Sequence, residues 1–235
     1  MEALLDFLFR WGHILFGITW IGLLYYFNFV QTEYFKDAED MARKDAVAKL
    51  APRALWWFRW AAFFTFLTGL FLLDAIKVKL NVDIILGATM GTLMMLNVWG
   101  IIWPNQKVVI GIKEGDAAIA GPKAALASRT NTLFSVGMLY FMVSSAHYNH
   151  GTEYLMNSGV PLAITDTGLL VGLAIITAIQ ANAIWGKMLP VIASVRGVII
   201  SSFVLCVVLS SIAFYLTGID ILHLFSGGEG GDMTG

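Results

Sequence analysis

The chain has 235 residues, of which 58% are hydrophobic and 13% charged, with a formal net charge of −1 and a mean hydropathy of +0.74. Soluble globular domains carry about 25% charged residues, so this composition excludes an ordinary water-soluble fold. The near-zero charge excludes nucleic acid as a partner.

A membrane span needs about 20 mainly apolar residues. Six segments meet that need: 4–30, 54–76, 83–103, 132–148, 160–185 and 191–217. They predict an all-α, polytopic transmembrane helical bundle over residues 1–225 as one domain, with a flexible Gly-rich tail at 226–235.

The first segment follows Glu2 and contains Asp6, and it is too long for a signal h-region. It holds Arg10-Trp11-Gly12-His13 and continues through Gly17 to Thr19-Trp20-Ile21-Gly22. Positions i and i+3 share a helix face, so Arg10 and His13 project together. Gly17, one turn beyond, leaves room on that face for something flat and bulky. Ionisable side chains within a span are costly and mark a functional site. The arrangement reads as a haem site, with His13 on the iron and Arg10 neutralising a propionate. The plain alternative is a hydrogen-bonded core histidine.

The 33–50 stretch mixes acids and bases at i,i+4 spacing and reads as a solvated helical extension of span one, with a partner-docking surface as the alternative. In the second span, Trp56-Trp57-x-x-Trp60 beside Arg59 fits an interfacial aromatic belt, with Arg59 snorkelling to the interface. The third carries Gly87-x-x-x-Gly91, a helix-packing signal, and ends at Pro104; Pro122 is assigned to the loop that follows. Asn97, Gln180 and Asn182 either join helices by hydrogen bonds or line a polar pocket. Cys206, the one cysteine, lies in the sixth span and reads as a small buried hydrophobe. Its solitude excludes an intrachain disulfide, a c-type haem attachment site and a thiolate zinc centre.

Orientation follows from Lys and Arg in the connections. Eleven lie in 31–53, 104–130 and 186–196, against Lys77 and Lys79 on the other side. This places both termini outside, in a bacterial inner membrane. His13, His147, His150 and His223 then all fall on the outer side. A membrane b-type haem takes two axial ligands from different helices, and His13 with His147 is the pair that lies at membrane depth. His150 and His223 read as interfacial. A zinc or copper site competes, but wants three or four converging ligands. Asp166, at the outer end of span five, could orient a ligand histidine, pair with Arg10 or relay protons in catalysis. It could equally be a helix N-cap.

Four stretches carry a family resemblance: the Arg10–Gly22 stretch; Trp57-Phe58-Arg59-Trp60 through Thr68-Gly69; Gly87–Thr92 through Asn97-Val98 and Trp103-Pro104-Asn105-Gln106-Lys107; and Asn131-Thr132-Leu133 through Phe141-Met142 and His147-Tyr148. Together they resemble the membrane domain of the PuuD-type urate hydroxylases, also called the urate oxidase N-terminal domain. The resemblance implies hydroxylation of urate with water as oxygen source, electrons passing to a cytochrome c on the outer side, and His13 and His147 as haem ligands. The sequence departs from the family pattern in four ways. A helical pair between spans two and three is missing, as is a His-rich outer segment after span one. Ile85 and Leu86 stand where the family can carry a histidine, and a short form without the fused cytochrome c is expected.

The function expected is therefore a haem b membrane redox protein, binding a planar substrate such as urate and passing electrons to a cytochrome c. The alternative is a non-enzymatic subunit docked on a larger respiratory or oxidase complex. Span one alone is also similar to the membrane protoporphyrinogen oxidases of the HemJ type.

Overall fold

A computed structural model describes residues 2–75, 80–148 and 165–219. His150, His223, Lys77, Lys79, the start of the fifth expected span and the 226–235 tail lie outside the described residues. The described chain is 89% helical, with no strand among the described residues. Its elements are α1 (Ala3–Asp37), α2 (Asp40–Ala75), α3 (Val82–Val109), α4 (Ala117–His147), α5 (Thr167–Trp185), a short α6 (Pro190–Ala193) and α7 (Val195–Leu216).

Five of these helices, all but α4 and α6, are long and apolar enough to cross a membrane. The fourth expected span lies within α4, which is long enough but too polar for that criterion. The physical reason is its position. α4 packs against α1, α3, α5 and α7, and Arg129, Thr130, Asn131, Thr132 and Ser135 on it are all buried. A helix shielded by other helices need not match lipid, because in membranes polar side chains serve as glue between helices.

The peripheral helices show the opposite pattern. On α1, Leu4, Phe7, Trp11, Ile14 and Ile18 are exposed at helical spacing. The opposite stripe holds His13, Trp20 and Leu24 and turns inward. An exposed apolar stripe at this spacing is what a lipid-facing helix presents.

α1 lies along α2 and α3 along α4, and the two pairs meet through α1–α4 and α2–α3 contacts. Close approach of α3 to α4 depends on Gly87. A Cβ there would stand 3.2 Å from both the Met142 backbone nitrogen and Phe141 Cβ. The Gly87-x-x-x-Gly91 signal is therefore a packing seam. Asn97 and Gln180 exchange side-chain hydrogen bonds at 2.7 and 3.0 Å, Asn97 Nδ2 also donates to Asn131 Oδ1, and Asn131 donates to the Met94 carbonyl. This buried amide cluster joins α3, α4 and α5, the packing role of the two alternatives. Asn182 instead donates to the Lys187 carbonyl just beyond the end of α5.

The 31–53 stretch is helical apart from the turn at residues 38–39, and carries the pairs Glu33–Lys36, Asp40–Arg43 and Asp45–Lys49. The 104–130 stretch is shorter as a loop than expected. α3 runs through Pro104 to Val109 because a wider π-helical turn at Val98–Ile102 precedes the proline. Such a turn relieves the clash between a proline ring and the carbonyl four residues earlier. Pro122 lies inside α4, near its start. Arg59 does not extend freely. Its guanidinium stacks over the Trp103 ring at 3.9 Å.

Candidate functional site

At the end of the bundle where α1 and α3 begin and α2 and α4 finish, the four helices enclose a cavity of about 560 Å³. Small-molecule and cofactor sites run to about 300–1,000 Å³ and are mostly apolar with a few placed polar groups. This cavity has that character. Arg10, His13 and His147 all line it, so three of the residues singled out in the sequence share one space although their helices are distant in the chain.

His13 is held from α2. Its Nδ1 lies 2.9 Å from the Thr65 carbonyl oxygen and 3.1 Å from Thr68 Oγ1. A carbonyl can only accept, so Nδ1 carries a proton, and in the neutral ring Nε2 is left with the lone pair. No hydrogen bond from a described residue takes Nε2. The ring edge fits against Gly69, where a Cβ would stand 3.1 Å from His13 Cε1 and 3.5 Å from Nδ1. The Thr65, Thr68 and Gly69 cradle was invisible in the sequence, because it lies 52 or more residues away on another helix. The Thr68-Gly69 pair was noticed only as part of a resemblance.

Arg10 pairs through Nε with Asp6 at 2.8 Å, both side chains being about half exposed. Exposed pairs of this kind contribute little to stability, and no described residue engages the terminal guanidinium nitrogens. His147 is exposed at the last residue of α4. Gly17 does not line the cavity: it faces Thr65, whose Cγ2 would stand 3.9 Å from a Cβ at that position. Its smallness serves α1–α2 packing.

Asp166 is placed elsewhere. It is 3% exposed and caps α5, accepting from the Leu169 N–H at 2.8 Å and, through its other oxygen, from the Gly218 N–H at 2.7 Å. Of the roles weighed for it, the structure has the N-cap, extended to tie the end of α7 to the start of α5. It does not line the cavity, and Arg10 pairs with Asp6 instead.

Two groups escaped the sequence reading. Asp83, 1% exposed, accepts from Ser144 Oγ at 2.7 Å and ties the start of α3 to the last turn of α4 near the cavity. Trp20 lines the cavity, is 2% exposed, and its indole Nε1–H has no acceptor among the described residues. The signal was available, since Trp20 stands seven residues after His13 and so shares its helix face. No cluster of three or more His, Cys, Asp or Glu side chains is found among the described residues. Among the described residues, His13 and His147 are the two imidazoles that line this cavity.

Fold and cavity define a polytopic helical membrane protein with a histidine-bearing cavity inside its bundle. The sequence profile of a family described as urate oxidase N-terminal matches residues 79–202, more than half of the chain. The chain belongs to the urate oxidase N-terminal family. The matched span begins just before α3, so it includes His147 and Asp166 but not Arg10, His13 or Gly17. No curated protein and no solved structure matches the chain.

Proposed function

We propose that this protein is a redox protein of the bacterial inner membrane that holds haem b in the four-helix cavity. The supporting observation is the state of His13. Histidines that ligate metals almost always give their other ring N–H to a carbonyl or carboxylate, which fixes the tautomer. His13 does this toward Thr65, and its free Nε2 belongs to a residue lining a cavity shared with His147. Neutral imidazoles from two helices are a suitable donor set for a b-type haem.

The remaining groups fit the same occupant. Arg10, with its terminal nitrogens free, would neutralise a propionate near the mouth. The apolar walls would exclude water from the macrocycle. When bound, haem would supply reversible one-electron transfer. The protein's own contribution is to position the group and set its electrostatics. His13 and Arg10 lie on one helix face, and α2 holds the imidazole still.

Family membership supports an electron-rich planar substrate such as urate, oxidised with water as the oxygen source. Electrons would leave to a cytochrome c on the outer face, close to Arg10 and His147 in the expected orientation. Asp166 is left out of the proton path, since both its carboxylate oxygens are engaged by backbone N–H groups away from the cavity.

The test is a reduced-minus-oxidised absorption spectrum of the purified protein, with a pyridine haemochrome assay for haem type and amount. A b-type signal that His13→Ala and His147→Ala each diminish is the expected result. A colourless wild-type protein that takes up no added haemin would remove the proposal and favour the docked, non-enzymatic subunit.

A further inference from the structure

Buried N–H donors almost always find an acceptor, and within a bilayer an unpaired one costs several kcal/mol because no water can replace the partner. Trp20, which lines the cavity, breaks this rule: its buried indole Nε1–H has no acceptor among the described residues. Among the described residues, Arg129 Nη1 and Thr217 Oγ1 are the other buried side-chain atoms without a partner, and neither residue lines the cavity; other interior side chains of α1 and α2 are paired. Asn28 donates to Leu24 and Ser128, Thr65 to Ala61, and Tyr25 pairs with Ser135. The neighbouring tryptophan on α3, Trp99, gives its Nε1–H to the Arg59 carbonyl at 3.1 Å. An indole nitrogen left open in this setting is a group waiting for an acceptor brought by a ligand.

We propose that the Trp20 Nε1–H is a ligand-binding donor that receives an oxygen atom of the flat molecule held in the cavity. This rests on the reading of the cavity as a site for a planar ring ligand. Trp20 lies two helical turns below His13 on the same face, about 10 Å deeper along α1. Arg10 stands at the other end. Side chains around the inner part, such as Phe66 and Met138, are apolar. Charge is costly there, whereas a ring carbonyl is not. The geometry therefore favours a substrate oxo group over a haem carboxylate, although both share the same acceptor chemistry.

The experiment uses the full-length protein in detergent, with Trp20→Phe, which keeps an aromatic ring but removes the donor, and Trp20→His, which keeps a ring N–H. Haem retained after haemin loading is read by pyridine haemochrome. Affinity for urate is read by equilibrium dialysis, and elution as a single symmetric species checks folding. Trp20→Phe is expected to keep its haem and bind urate about tenfold more weakly, the usual worth of one hydrogen bond to a site built around it. Trp20→His recovers part of that loss. Loss of haem from Trp20→Phe but not from Trp20→His would support the donor role and assign the acceptor to the cofactor's carboxylate.

Unchanged haem and urate binding in a folded Trp20→Phe overturns the inference, as does a folded Trp20→His no better than Trp20→Phe. If Trp20→Phe does not fold, Trp20→His decides alone: retained binding supports the donor, lost binding in a folded protein overturns it. A wild-type protein that takes no haemin fails the proposed function. Urate binding that depends on Trp20 in that colourless protein would leave the donor standing, and wild-type protein that binds neither overturns both.

Discussion

Gly69→Ala tests whether the orientation of His13 controls the cavity. Gly69 is in the interior of α2, and its missing Cβ is the space into which the His13 ring edge fits, with Cε1 at 3.1 Å from the Cβ position. Carbon atoms prefer about 3.5–4.0 Å, so the imidazole must withdraw by several tenths of an ångström. Nδ1 cannot follow that movement and keep both its 2.9 Å and 3.1 Å contacts. Weakening that hydrogen bond costs about 0.5–1.5 kcal/mol. Replacing a mid-helix glycine by alanine returns about 1 kcal/mol of helix propensity. The two nearly cancel, so unfolding in detergent should shift little. Occupancy should respond differently, because disturbing a group that orients a metal ligand typically costs 10–100-fold in affinity. The expected result is a protein of near-normal thermal stability whose haem affinity in a haemin titration falls by that factor. Gly22→Ala is the control: nothing lies within 4 Å of its Cβ position, so it gains propensity and leaves haem uptake unchanged. Normal haem affinity in Gly69→Ala would refute the reasoning that α2 positions His13 for a ligand.

Asn97→Ala leaves Gln180 and Asn131 without one partner each in the buried interior, and should lower stability by about 1–3 kcal/mol, read as an earlier unfolding midpoint with cavity binding unaltered in the folded fraction. Asp166→Ala should cost about 0.5–2 kcal/mol as a lost cap without changing haem or urate affinity; altered affinity at unchanged stability would return Asp166 to the site. Gly87→Val forces a branched side chain against the α4 backbone and should destabilise by about 1–3 kcal/mol or more, seen as loss of the folded species on gel filtration. A cysteine introduced at the exposed Lys113, between α3 and α4, should be labelled by a membrane-impermeant reagent only in opened cells, since native Cys206 is buried; labelling in intact cells would invert the topology.

What could be read in advance follows the reach of each signal along the chain. Hydropathy and helical spacing operate within one segment, so the apolar segments, the shared face of Arg10 and His13 and the helical nature of 33–50 were legible. The glycine seam at Gly87 was legible as a packing signal, though not its partner. Asp166 had two readings because a carboxylate near a helix start looks the same whether it caps or reacts. The fold decides between them, with Leu169 N–H on one oxygen and Gly218 N–H, 52 residues later, on the other. Gly17 failed for a similar reason: room on a helix face was inferred correctly, but Thr65 of α2 stands beside it. The low hydropathy of α4 and the helical stretch across Pro104 depend on burial and on a π-helical turn, neither of which a residue pattern announces. The His13 cradle is purely tertiary, built from Thr65, Thr68 and Gly69.

The polar side chains fall into groups completed within the protein and groups left open along one face of α1; Arg129 Nη1 and Thr217 Oγ1 are also buried and unpaired, but outside the cavity lining. Asn97, Asn131 and Gln180 saturate one another and lie away from the cavity. Their role is complete without a ligand, and they hold three helices in register. Around the cavity the account is left open. His13 has one nitrogen engaged and one free, Arg10 spends only Nε on Asp6, and Trp20 buries an N–H with nothing to receive it. In water such groups would be satisfied by solvent and would carry no information. Inside a bilayer an open buried donor such as Trp20 Nε1 is costly, whereas the half-exposed Arg10 stands at the mouth. Three incomplete groups on one face of α1, at positions 10, 13 and 20, therefore describe a binding partner by its complement: an anionic edge near the mouth, an atom that accepts a nitrogen lone pair, and an oxygen acceptor two turns deeper.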